Sequence, residues 1–275
     1  LNFTKTTFVT FCLVFLVAFC GFYKFQLNDD AITQNVPIEE TPSTAEKILN
    51  THSVPTMSEI DINLDAPLQA EVPEEPKEVI AIDPGHGGYD PGKVGSCNNY
   101  EKDINLKIAL KLRDFLEEHK YKIVLTRSED KDLDSFDDKF HKREDMQARI
   151  KTINESGAAI VVSIHQNAFA QEKAKGAQVF YFNDESLGKN LAASVKNSIK
   201  EMADPDNIRE IKHSEEYYIL KKSNVPGIIV ECGFLTNPEE EAKLLSNEYQ
   251  TKMAQAIGTG IINFLESVSA EQATN

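Results

Sequence analysis

The sequence predicts an α/β fold, a mostly parallel sheet of six short strands with helices packed against it. Apolar runs recur from Val79 onward, among them VIAID (79–83), AAIVVSI (158–164) and GIIVE (227–231). Stretches with helical spacing of apolar residues separate them, and unbroken apolar runs alternating with helices are the pattern of buried parallel strands. Each of these three runs also ends in a chemistry-bearing residue. VIAID breaks into Pro84-Gly85-His86-Gly87-Gly88, AAIVVSI ends at His165, and Glu231 closes GIIVE. In open α/β sheets the C-terminal strand edge is where ligands bind. Three such side chains delivered to one edge point to an active site.

The remaining elements follow in order. Glu101–His119 carries apolar residues at 104, 108, 112, 115 and 116, a helical stripe. YKIVLT (121–126) is the second strand, followed by a polar loop to Phe140 and a helix over 141–155. After AAIVVSI, GAQVFYF (176–182) reads as a strand and 185–203 as a helix. YYIL (217–220) and GIIVE complete the strands, and helices over 238–246 and 248–267 close the domain. A domain over 79–268, with 269–275 as a tail, has about 190 residues, enough for a full hydrophobic core.

The flanking sequence differs in kind. Thr6–Tyr23 holds 18 uncharged residues rich in Phe, Val and Leu. As a helix this spans about 27 Å, close to the hydrocarbon thickness of a bilayer. Residues 1–27 thus read as a membrane anchor or a signal segment, and the lack of an A-x-A cleavage pattern favours the anchor. Lys5 favours a cytoplasmic N-terminus, which places the rest outside the cytoplasm. If the segment is cleaved, the protein is secreted. Residues 28–78 hold six prolines and 12 acidic residues against two lysines. Such a composition buries too little apolar surface to offset ordering entropy, so it reads as a disordered acidic linker. Of the net charge of −15, +2 lies in 1–27 and −10 in 28–78, so −7 remains for the domain. This acidity excludes nucleic acid as a partner, since binding it takes clustered Lys and Arg. Of the four cysteines, Cys12 and Cys20 lie in the apolar segment; spacing alone leaves open whether Cys97 and Cys232 meet.

Each candidate site residue has a structural reading beside the chemical one. Asn98-x-x-Glu101 has the form of a capping box, in which the glutamate would serve only the helix start. Yet Glu101 shares a helical face with Ile104 and Ile108, which points it toward the sheet. His86 stands in a glycine-flanked loop and could be simply exposed. His165 ends a buried strand, where a histidine needs a partner. Together His86, Glu101 and His165 form the donor set of a catalytic zinc with one position open. Glu231 then remains as a general base. Its neighbour Cys232 points to the opposite strand face, as a core thiol.

IAIDPGHGGYDPG, Glu101-Lys102-Asp103-Ile104-Asn105-Leu106, VSIHQNA and VECGFLTNPEE occur in that order over about 79–267. This series resembles the zinc-dependent N-acetylmuramoyl-L-alanine amidases of the amidase-3 type, and more loosely their sporulation-associated cortex amidases. The resemblance implies an open, twisted, mixed sheet of six strands flanked by helices. It implies one Zn²⁺ per chain held by His86, Glu101 and His165, with Glu231 as the catalytic base. The implied reaction is hydrolysis, by zinc-activated water, of the amide between the lactyl group of N-acetylmuramic acid and L-alanine, with peptidoglycan as partner. An activator protein is left unidentified. Arg127, Arg149 and Asn154 match positions read as structural. Lys93 and Gln166 depart from the common pattern near the expected cleft. Some relatives insert a blocking helix after the strand matching GAQVFYF, but residues 183–216 leave room for one helix and a loop, so none is expected. Two rival readings stay open: another zinc hydrolase of the wall (a carboxypeptidase or deacetylase), and an inactive wall-binding regulator.

Overall fold

The computed structural model describes residues 77–134, 141–184 and 187–274. The anchor or signal segment expected at 1–27, and all of the expected linker except residues 77 and 78, lie outside them. Among the described residues no helix is long and apolar enough to cross a membrane.

Six strands form one sheet in the order β2-β1-β3-β6-β4-β5. They are β1 (Val79–Pro84), β2 (Lys122–Leu125), β3 (Ile160–Asn167), β4 (Gln178–Tyr181), β5 (Lys212–His213) and β6 (Gly227–Phe234). All neighbours pair in parallel except β4 and β6, which run antiparallel. The sheet is therefore mixed. The chain steps from β1 to β2 on one side, then returns to place β3 on the other side of β1. This reversal opens a crevice at the C-terminal ends of β1 and β3, the topological switch point where such sheets bind ligands.

Strand alternation splits the core into two layers. Ile80, Ile82, Ile160, Val162, Ile164, Ile228, Val230 and Cys232 pack with three helices: α1 (Glu101–Glu118), α3 (Leu187–Met202) and α6 (Asn247–Thr274). From α1, the stripe read from the sequence supplies Ile104, Ile108, Leu112 and Leu116, all fully buried. Each is worth about 1.5–3 kcal/mol relative to exposure. On the other face Ala81, Val161 and Ile229 pack with Ile153 of α2 (Lys142–Glu155) and with Ile219 and Leu220 of α4 (Tyr218–Lys222). A short helix, α5 (Pro238–Leu245), follows β6; the Asn237 side chain caps it by accepting from the Glu239 and Glu240 N–H groups.

The structure corrects one strand and shifts several boundaries. YYIL is not a strand: Tyr218–Lys222 is helical, with the Lys221 N–H donating to the Tyr217 carbonyl. Its two buried residues, Ile219 and Leu220, are adjacent and reach one core layer only from a helical turn. The strand in that region is Lys212–His213, which pairs with Phe180 and Tyr181 of β4. β3 and β6 each run three residues past the ends of their apolar runs, and α6 continues to Thr274.

Beneath the sheet edge lies a buried ion pair. Arg149 of α2 donates to Asp83 Oδ1 at 2.9 Å and to Asp145 Oδ2 at 2.7 Å, and both Arg149 and Asp83 are 2% exposed. Burial pushes the Asp83 carboxyl upward, but Arg149 and hydrogen bonds from Ser163 and Thr126 outweigh it and hold it at about 2. That depressed value is a stabilising contribution present above the unfolded carboxylate value of about 4 and lost as pH falls through about 2. Arg149→Met leaves Asp83 buried without its cation. It should cost about 3–5 kcal/mol at neutral pH, and the gap to wild type should narrow as pH falls from about 4 toward 2. Chemical denaturation across that range checks both; a gap independent of pH contradicts the ion-pair account.

Candidate active site and metal centre

The loop after β1 is shaped before it carries chemistry. His86 adopts φ 61°, a left-handed conformation uncommon for a residue with a Cβ, and such strain persists only where surroundings enforce it. Here two arginines do so. Arg149 donates to the Pro84 carbonyl at 2.9 Å and to that of His86 at 2.7 Å. Arg127, 1% exposed, donates to Pro84 and Gly85 carbonyls at 2.9 Å and also to the Lys102 carbonyl of α1. Burial and the neighbouring Arg149 lower the Arg127 guanidinium to about 10. Asn105 adds a hydrogen bond to the Gly85 carbonyl at 3.0 Å. Gly85 must lack a side chain, because a Cβ there would overlap the His165 imidazole.

Three donors converge above this loop. The ligand atoms of His86, Glu101 and His165 all lie within 4.8 Å of one another. Glu101 Oε1 is 2.9 Å from His165 Nδ1, and its Oε2 is 3.3 Å from His86 Nε2. The capping box is not formed. Asn98 sits in a left-handed turn (φ 62°), Tyr100 is the cap residue, and Glu101 is the first helical residue, too early to reach back. Its carboxylate instead accepts from the Lys93 and Gln166 N–H groups at 2.8 and 3.1 Å. Although burial pushes its carboxyl up, His165 and His86 hold it well below the usual carboxylate range. On His86 the second ring nitrogen, Nδ1, is 2.7 Å from Asp90 Oδ2. A carboxylate behind a histidine in this way fixes the ring and aims its other nitrogen.

Glu231 stands beside the triad. The β3–β6 register pairs it directly with His165, so the two side chains emerge on the same face of the sheet. The register then shifts, Asn167 pairing with Phe234. Burial raises the Glu231 carboxyl to about 7, near the operating value of a general base. Tyr217 Oη donates to Glu231 Oε1 at 3.3 Å. Tyr217 also lines a cavity of about 790 Å³, with Asn167, Phe169, Phe180, Arg209 and Lys212 among its walls. The cavity therefore shares Tyr217 with the Glu231 hydrogen bond.

The sequence-level candidates thus meet at one edge, while three residues given no role join them: Asp90, Asn105 and Tyr217. Asp90, four residues after a loop histidine, was the most findable. Gln166 lies beside the site but is buried, 2% exposed: its backbone N–H donates to Glu101 and its side chain to Asn105 Oδ1 at 3.1 Å. Lys93 is exposed and its backbone brackets Glu101. Asn154 pins α4 to α2 through the Lys222 carbonyl and the Asn224 N–H. Cys232 is buried and Cys97 exposed, and both are free thiols. The segment 183–216 supplies α3, whose Leu191, Val195 and Ile199 are buried in the core, and β5.

Together, the fold and the site define a hydrolytic α/β enzyme with a donor set suited to a metal ion. Residues 80–263 match the family model described as amidase-3, N-acetylmuramoyl-L-alanine amidase. The chain is 35% identical over 190 residues to the germination-specific N-acetylmuramoyl-L-alanine amidase of Bacillus subtilis, covering 68% of this chain and 79% of that one. The structure of the CwlD amidase from Clostridioides difficile in complex with the GerS lipoprotein matches with TM-score 0.66 and 39% identity, over 70% of this chain and all of that one. An N-acetylmuramoyl-L-alanine amidase from Clostridium difficile 630 matches with TM-score 0.63 and 34% identity, over 70% of this chain and 98% of that one. The chain belongs to the amidase-3 family of N-acetylmuramoyl-L-alanine amidases, and it is an amide hydrolase.

Proposed function

We propose that the enzyme cleaves peptidoglycan between the lactyl group of N-acetylmuramic acid and L-alanine, with one zinc ion held by His86, Glu101 and His165 and Glu231 as general base. The observation that carries this reading is the convergence of three metal-capable donors beside a buried, proton-accepting carboxylate. The donors suit zinc: two imidazoles and a carboxylate are the ligand set of a catalytic site with one open position. Tetrahedral ligands about 2.0–2.1 Å from one ion stand about 3.3–3.4 Å apart, close to the 2.9 and 3.3 Å separations of Glu101 from the two histidines.

Zinc bound there supplies Lewis acidity, polarising a carbonyl and easing the ionisation of water. Glu231 takes the proton of the attacking water as the new carbon–oxygen bond forms. It then hands a proton to the departing nitrogen as the carbon–nitrogen bond breaks. The products are a lactyl carboxylate and a peptide with a free L-alanine amine. The uncharged stretch Thr6–Tyr23 supports an anchored or secreted enzyme working outside the cytoplasm. The germination-specific relative supports spore cortex as its substrate, and the relative bound to a lipoprotein supports a protein partner.

Mass spectrometry of cortex and vegetative muropeptides after digestion tests the reaction. New L-alanine amines with intact N-acetyl groups are expected; release of acetate or of a C-terminal amino acid contradicts it.

Metal content separates the roles of the two glutamates. Glu231→Gln should keep stoichiometric zinc and a near-native fold while activity falls about 10²–10⁴-fold. Glu101→Gln should weaken zinc binding, with partial rescue by excess metal. Loss of zinc from Glu231→Gln together with its retention in Glu101→Gln reverses the assignment.

A further inference from the structure

We propose that Tyr217 is a positioning residue for Glu231, holding one carboxylate oxygen so that the other meets the reacting water. This rests on Glu231 acting as the general base of the amidase. The hydroxyl of Tyr217 donates to Oε1 at 3.3 Å. Oε2 is buried and, among the described residues, has no hydrogen-bond partner. A buried carboxylate oxygen without a donor is costly to the fold, and in a base it is the oxygen free to accept a proton.

The phenol is itself held in place. Tyr217 precedes α4 in an extended conformation (φ −77°, ψ 104°). Its ring packs edge-on against Phe180 of β4, with centroids 5.2 Å apart and planes at 60°. Ile219 and Leu220 anchor α4 in the core, and Asn154 of α2 ties down its far end. Glu231 and Phe180 sit on adjacent strands, since β4 pairs with β6. Tyr217 therefore spans from the α4 layer to the sheet edge, its ring held on one side by Phe180. Burial and the Glu231 charge raise its own pKa, so it stays a donor at neutral pH. Without it, Glu231 would be free to rotate toward the cavity that Tyr217 also lines.

Tyr217→Phe keeps the ring and deletes only the hydroxyl. The test compares wild type, Tyr217→Phe, Glu231→Gln and the double variant, all zinc-loaded, on a soluble muropeptide. Zinc content and Tm are measured alongside. Tyr217→Phe should lower kcat roughly tenfold, the scale of one hydrogen bond to a charged group, with KM, zinc content and Tm near wild type. Added to Glu231→Gln it should cost nothing further, because its effect runs through the carboxylate. Three results overturn the proposal while leaving the amidase reading intact: unchanged kinetics, a raised KM with kcat unchanged, or the same fold loss in both backgrounds. Wild-type protein that leaves the muramoyl–alanine bond intact overturns the amidase reading, and this proposal with it.

Discussion

The site depends on the buried charge network under the first strand. Asp83 sits at the C-terminal end of β1 with no solvent to stabilise it, and Arg149 supplies the compensating charge from α2. Once held there, Arg149 has donors left over, and they go to the carbonyls of Pro84 and His86. Arg127 adds the Gly85 carbonyl and reaches across to Lys102, next to Glu101 in sequence. Three successive carbonyls of an irregular loop are thus satisfied by two guanidinium groups, which meets the requirement that buried backbone acceptors find donors. Breaking the ion pair would release the loop that carries His86 and loosen the helix turn that carries Glu101.

Strand register then completes the geometry at no added cost. Parallel pairing sets His165 opposite Glu231, and the reversal of strand order beside β1 opens the space in front of them. Two carboxylates so close behave differently because their surroundings differ. Glu101 faces two histidines and two backbone N–H groups, so it stays ionised, whereas Glu231 has one phenol and is pushed toward neutrality by burial. Divergent environments of this kind sort paired carboxylates into separate roles.

Much of this was legible in the sequence, and the failures have physical causes. β1, β3 and β6 announce themselves because a strand buried on both faces must be apolar throughout, and His86, His165 and Glu231 stand out by interrupting that rule. β5 has two exposed residues, Lys212 and His213, so no apolar pattern marks it; its pairing with β4 alone makes it a strand. YYIL misled because four apolar residues are too few to separate a strand from one helical turn. The capping motif at Asn98 and Glu101 goes unused because the turn at Asn98 delays the helix start. Tyr217 carries no sequence signal as a site residue because loop geometry, not periodicity, brings it to Glu231, whereas the only hint of Asp90 is its place four residues after His86.

The proposed metal role requires a fold that presets the three donors before any metal arrives. Crystal structures of the protein stripped of zinc and loaded with it test this directly, with anomalous scattering locating the ion. A preset site predicts one ion bonded to His86, Glu101 and His165, with Glu231 outside bonding distance. It also predicts the same left-handed His86 backbone and the same arginine contacts in both states. A loop from Pro84 to Gly88 that rebuilds when zinc binds, or an ion ligated by Glu231, would contradict it.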